Sequence, residues 1–153
     1  MIRLQDVMKK KVESISPRES AEAAWARMRE RRIRHLVVLD RGRVVGVLSD
    51  RDLAGPGSFR QIESVGDVMS APVVSGYPEM TLRQAANQLR GRSIGCLPVM
   101  DDEKLVGILT TTDLLELVGR GFERPTSKGK RWVLKARGSR RKPFLPRAAA
   151  RPL

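Results

Sequence analysis

The sequence is short of the residues on which most site chemistry depends. One cysteine, Cys96, excludes an intrachain disulfide and agrees with a reducing compartment. One histidine, His35, leaves too few soft ligands for a zinc site and too few partners for a catalytic relay. Aromatic residues are scarce at 4%. No apolar run approaches the roughly 18 residues a membrane helix needs. The N-terminus, Met1-Ile2-Arg3-Leu4-Gln5-Asp6, has no apolar leader segment, which predicts a cytoplasmic protein. The chain shows no phosphate-binding loop, dinucleotide-binding glycine fingerprint or nucleophile motif, so an enzyme is not expected. Acidic residues are nearly absent from one end: Glu123 is the single acid in residues 119–153, beside 12 Lys/Arg. Residues 1–118 hold 18 basic and 16 acidic side chains. The body is therefore almost neutral, and most of the net charge of +13 lies on the tail.

What is present is a repeat. Residues 7–53 align without a gap on residues 68–114, with 17 identities over 47 positions. Matched pairs include Val7/Val68, Met8/Met69, Pro17/Pro78, Ile33/Ile94, Asp40/Asp101, Gly46/Gly107 and Asp52/Asp113. Each unit reads β-α-β-β-α. Lys11–Ile15 and Val73–Ser75 read as short strands. Ser20 and Thr81 are N-cap residues, and Thr81 with Gln84 forms a capping box. Ala21, Ala24 and Met28 share one helix face, as do Leu82, Ala85 and Leu89. The continuous apolar runs 36–39 and 97–100 read as strands covered on both faces. Polar turns at 40–43 and 101–104 lead to third strands at 44–48 and 105–109, and short helices start near Asp50 and Thr111. One unit is too small to bury a substantial core, so the two are expected to pack as a pair. The breaker-rich stretch Ala54-Gly55-Pro56-Gly57-Ser58 reads as their linker.

With these elements in place the chain resembles the CBS-domain family over about residues 3–118. The marks are Asp6-Val7-Met8 and Asp67-Val68-Met69 opening each repeat. Each then closes on Gly46-Val47-Leu48-Ser49-Asp50-Arg51-Asp52-Leu53 or Gly107-Ile108-Leu109-Thr110-Thr111-Thr112-Asp113-Leu114. The resemblance implies an α/β (α+β) fold of tandem repeats, 3–58 and 59–118, joined as a pseudo-twofold Bateman module. It implies clefts for an adenosine ligand (AMP, ADP, ATP or S-adenosylmethionine), a homodimer, and regulation of a partner rather than catalysis.

The residues suit such a ligand. Asp52 and Asp113 stand at strand-to-helix junctions, where a carboxylate can accept both hydroxyls of a ribose. The same position equally suits a helix cap. Ser49 and Thr110 sit three residues earlier, at helix starts whose free N–H groups favour phosphate. Val12, Ile33 and Leu36, or Val73, Ile94 and Leu97, can sandwich a base, and the backbone near Ser14 and Ser75 can read its edge. The two sites are expected to be unequal. Arg51 is matched by Thr112, and Arg34 by Gly95, so the first ending should grip phosphate better. His35 aligns with Cys96, and both read as packed at strand ends. Trp25 reads as covering a helix edge or joining a dimer interface.

The tail, 119–153, is interrupted by glycine and proline and is expected to be disordered without a partner. Its clusters interleave cations with an aromatic: Lys128, Lys130, Arg131, Trp132, Lys135, Arg137, Arg140, Arg141 and Lys142. Cations neutralise phosphates and a Trp stacks on an unpaired base, so the tail reads either as an arm for RNA or the ribosome or as a passive, solubilising segment. No amphipathic pattern favours a membrane surface.

Overall fold

A computed structural model describes residues 1–53 and 64–121. The Ala54–Ser58 linker and every tail residue singled out above, the basic ones and Trp132 alike, lie outside the described residues. Among the described residues eleven elements follow in order: α1 (Leu4–Val7), β1 (Ser14–Ile15), α2 (Ala21–Arg31), β2 (His35–Asp40), β3 (Arg43–Ser49), α3 (Asp50–Leu53), α4 (Val65–Val68), α5 (Leu82–Gly91), β4 (Cys96–Asp101), β5 (Lys104–Thr110) and α6 (Thr111–Gly119).

The local signals fold as their chemistry dictates. The Ser20 side chain accepts a hydrogen bond from the Ala23 N–H, and the Thr81/Gln84 capping box closes in both directions. Ala21, Ala24 and Met28 turn inward on α2, and Ala85 and Leu89 do so on α5. β2 pairs antiparallel with β3, and β4 with β5. The turn between β2 and β3 holds Arg41 at φ 50° and Gly42 at φ 78°, the left-handed pair that a tight hairpin requires. Leu36, Val37 and Val38 are wholly buried, as are Leu97, Pro98 and Val99, so both middle strands are covered on both faces.

The first strand of each unit differs from expectation. In the first repeat it shrinks to Ser14–Ile15, parallel to β2. In the second, Val73–Ser75 forms no strand, and pairing reduces to a bridge between Gly76 and Val99. The reason lies in β4. The Val37 N–H donates to the Glu13 carbonyl at 3.2 Å, whereas Pro98 stands in the matching place and has no N–H to give.

The two short helices α1 and α4 bind the repeats together by exchange. The Leu4 N–H donates to the Met80 carbonyl (2.9 Å) and the Gln5 N–H to that of Pro78 (3.0 Å), so α1 docks on the second repeat. Leu4 is buried in the cluster of Ala85, Leu89, Leu97 and Leu109. The Val65 N–H donates to the Glu19 carbonyl (2.9 Å), and Val65 is buried in the first repeat's cluster with Ala24, Leu36 and Leu48. Behind each helix a methionine crosses a strand of the other repeat. A Cβ on Gly107 would stand 2.4 Å from the Met8 sulfur, and one on Gly46 would stand 2.5 Å from that of Met69. Only glycine permits that approach. A third cluster, Val37, Cys96 and Ile108, lies between the two sheets.

Candidate functional site

The pairing of repeats opens a cleft of about 850 Å³. Arg34, His35, Ser49, Asp50, Arg51 and Asp52 line it from the first repeat. Ser70, Pro72, Val73, Arg90, Ile94 and Gly95 are among those lining it from the second. The cleft therefore joins the ending of one repeat to apolar residues of the other.

Asp52 is held by the turn into α3. The Ser49 N–H donates to its Oδ2 at 2.8 Å, and its own N–H donates to Ser49 Oγ at 3.4 Å. The carboxylate is half-buried, and among the described residues no cation pairs with it. Three exposed guanidinium groups surround the cleft. Arg34 leans on Asp50 at 3.8 Å, while Arg51 and Arg90 have no such ion pair among the described residues. Arg90 was not singled out from sequence, because a cation in the last turn of a helix also suits the dipole alone.

The remaining sequence candidates scatter. Leu36 and Leu97 have no exposed surface, because the apolar runs that suggested base contacts form the cores of the two repeats. Ile33 packs against the first cluster and Val12 against the one between the sheets. The Ser14 carbonyl is taken by Arg27 Nη1 at 2.7 Å, and Ser75 is exposed and lines no part of this cleft. Thr110 and Asp113 form a full capping box on α6 and do not line the cleft. There Asp113 Oδ2 accepts from the Thr110 N–H and hydroxyl, both at 2.8 Å.

Burial shapes the two groups at the strand ends. It pushes the Cys96 thiol up to about 12, and the Asp52 carboxylate adds to the effect. Such a thiol is a packed side chain and not a nucleophile. The His35 ring lies against Gly95. Desolvation lowers its pKa from the usual 6.5; Asp50 and Asp52 oppose the shift, while Arg34 and Arg51 reinforce it. Below pH 6.5 the unfolded chain takes up a proton that the folded ring resists. This contribution to stability is therefore complete above that pH and is lost as the pH falls below it. We expect the melting temperature to decline more steeply between pH 7 and 5.5 in the wild type than in His35→Gln. Parallel curves from calorimetry would remove burial of this ring as a cause. Among the described residues no cluster of His, Cys, Asp or Glu is suited to a metal ion, and no helix is long and apolar enough to cross a membrane.

Comparison with known proteins agrees with this architecture. The family model of the CBS domain matches residues 4–55 and 65–120. The chain is 33% identical over 118 residues to the CBS domain-containing protein YhcV of Bacillus subtilis, covering 74% of this chain and 84% of that one. It also aligns with 24% of the length of longer archaeal homoserine O-acetyltransferases. The CBS pair of protein MJ0100, solved with 5'-methylthioadenosine and S-adenosyl-L-methionine, superposes with a TM-score of 0.73 at 23% identity, over 78% of this chain and 98% of that one. CBSX2, solved in complex with AMP, superposes with a TM-score of 0.68 at 26% identity, over 80% and 100%.

Proposed function

Because this chain belongs to the CBS-domain family, carrying two of its repeats, we propose that it is a regulatory module whose cleft binds a phosphate-bearing adenosine ligand. One observation carries the reading. Asp52, unpaired among the described residues, faces a cleft with cations on its rim and apolar Val73 and Ile94 across from them. A ribose diol donates to the Asp52 carboxylate, charge-assisted. Val73 and Ile94 cover the base. The phosphate lies near Ser49 and among Arg34, Arg51 and Arg90, whose planar forks suit it. The likeness to CBSX2, solved with AMP, supports the same ligand class. Ligand would tie the two repeats together across the cleft, and that change is what a partner would read. Leu115 and Val118, large and exposed on α6, offer an apolar surface for a homodimer. A second reading, in which Lys128, Lys130, Arg131, Trp132, Lys135, Arg137, Arg140, Arg141 and Lys142 hold RNA while the body senses nucleotide, rests on the tail's charge alone.

The charge of the cleft orders the ligands. In calorimetric titration of the full chain, AMP, ADP and ATP should bind at micromolar levels or tighter. S-adenosylmethionine, whose sulfonium meets three arginines, should bind at least about tenfold more weakly. Preference for S-adenosylmethionine would overturn the phosphate assignment, and no heat with any of the four would overturn the ligand reading.

A further inference from the structure

The two Asp-bearing turns are related by the pseudo-twofold axis but are not in the same state. We propose that Lys9 is an internal counter-ion at Asp113, so that the second ribose position is filled by the chain itself and one adenosine ligand binds per chain. This rests on the ligand reading of the first cleft given above.

The argument starts from two equivalent backbone positions. Lys9 aligns with Ser70 at the offset of 61 that relates the repeats. Both are pinned by the same bridge to the strand of the other repeat. The Lys9 N–H donates to the Ile108 carbonyl at 3.0 Å, and the Lys9 carbonyl accepts the Ile108 N–H in return at 3.0 Å. The Ser70 N–H donates to the Val47 carbonyl at 2.8 Å, and the Ser70 carbonyl accepts the Val47 N–H at 3.1 Å. The main chain therefore delivers residue 9 to Asp113 just as it delivers residue 70 to the cleft of Asp52. Only the side chains differ. Ser70 is short and lines the open cleft. Lys9 extends its ammonium to 2.7 Å from Asp113 Oδ1.

That contact completes the carboxylate. Asp113 Oδ2 is already committed to Thr110. Oδ1 is buried and has no hydrogen-bond partner of good geometry, so the ammonium is its compensation. The Asp113 side chain is 7% exposed, while that of Lys9 is 63% exposed and keeps water on its other sides. A ribose entering here would have to expel a cation and offer neutral hydroxyls in its place. For a buried carboxylate that exchange is unfavourable. At Asp52 no such exchange is required. The basic side chain at residue 9, and not the Asp motif, decides whether the second position is open.

The test counts AMP sites by calorimetric titration of the full chain. Wild type should bind one AMP per chain and Lys9→Ser two. Adding Asp113→Ala to Lys9→Ser should restore one. The backbone bridge survives Lys9→Ser, since Ser70 already makes the equivalent bridge to the first repeat's Val47. The reciprocal change, Ser70→Lys, should weaken AMP binding to the first cleft by about tenfold or more, because a cation then reaches Asp52. Two sites in the wild type, or one in Lys9→Ser, would remove the role of Lys9 while leaving the first cleft intact. Weaker AMP binding in Lys9→Ser would make Lys9 a ligand contact and overturn the proposal. No AMP binding by any variant would sink the cleft reading, and the proposal with it.

Discussion

Leu4→Ala should lower the unfolding free energy of the whole pair by about 2–5 kcal/mol, the usual range for emptying a fully buried leucine position. The residue lies at the start of the chain, on a helix of four residues, where truncation ordinarily costs little. Here it is wholly buried in the core of the second repeat, among Ala85, Leu89, Leu97 and Leu109. So short a helix has no stability of its own. It is held by the bonds of Leu4 and Gln5 to Met80 and Pro78, and by the Leu82 N–H, which donates to the Ile2 carbonyl at 3.0 Å. Loss of the side chain thus weakens β4 and β5, nearly a hundred residues away in sequence. Urea melts should shift to lower midpoint with little change in slope. Hydrogen exchange should report the loss at Leu97 and Leu109 as fully as at Leu4. Leu4→Met, close in volume, should cost under about 1.5 kcal/mol. An alanine variant within about 0.5 kcal/mol of wild type would mean that α1 is no part of the core.

That exchange marks where the sequence stopped being legible. The repeat, its β-α-β-β-α order and most of its helix caps follow from local signals, since each depends on residues three or four apart. Even α4 had such a signal, because Ser64 and Asp67 form a capping box ahead of Val65. What no local pattern records is which repeat α1 or α4 docks on. Two units of the same element order offer two similar surfaces, and only the tertiary arrangement chooses between them. The same limit explains Leu36 and Leu97. An apolar run announces a buried strand but not whether its end meets a base or a core. Pro98 shows the opposite case: the missing N–H that cost the second repeat its first strand was readable, had the partner strand been known. The expectation that the two sites differ rested on Arg51 and Thr112. The contrast of Lys9 with Ser70 needed the bridge to Ile108 to place residue 9 beside Asp113.

The inequality also separates what each carboxylate does, and mutation can expose the difference. Asp52→Ala should weaken AMP binding by at least about 100-fold, ~2.7 kcal/mol. That is the scale of two hydrogen bonds to a charged acceptor, each worth about 1.5–3 kcal/mol, less what water recovers. Asp52 is also the acceptor for the Ser49 N–H, so alanine should cost stability as well, by about 1 kcal/mol for a lost cap. Asp52→Asn divides the two effects. Its amide oxygen still accepts from Ser49, so the melting temperature should stay near that of wild type. Its charge is gone and its nitrogen cannot accept, so affinity should fall almost as far as in the alanine variant. Asp113→Ala supplies the control, because it removes the matching cap from α6 and Asp113 itself does not line the first cleft. It should lose stability and keep its affinity for AMP. If Asp113→Ala weakened AMP as much as Asp52→Ala, the loss would belong to the helix start and not to a ribose contact. If Asp52→Asn bound as tightly as wild type, the carboxylate would be a cap alone.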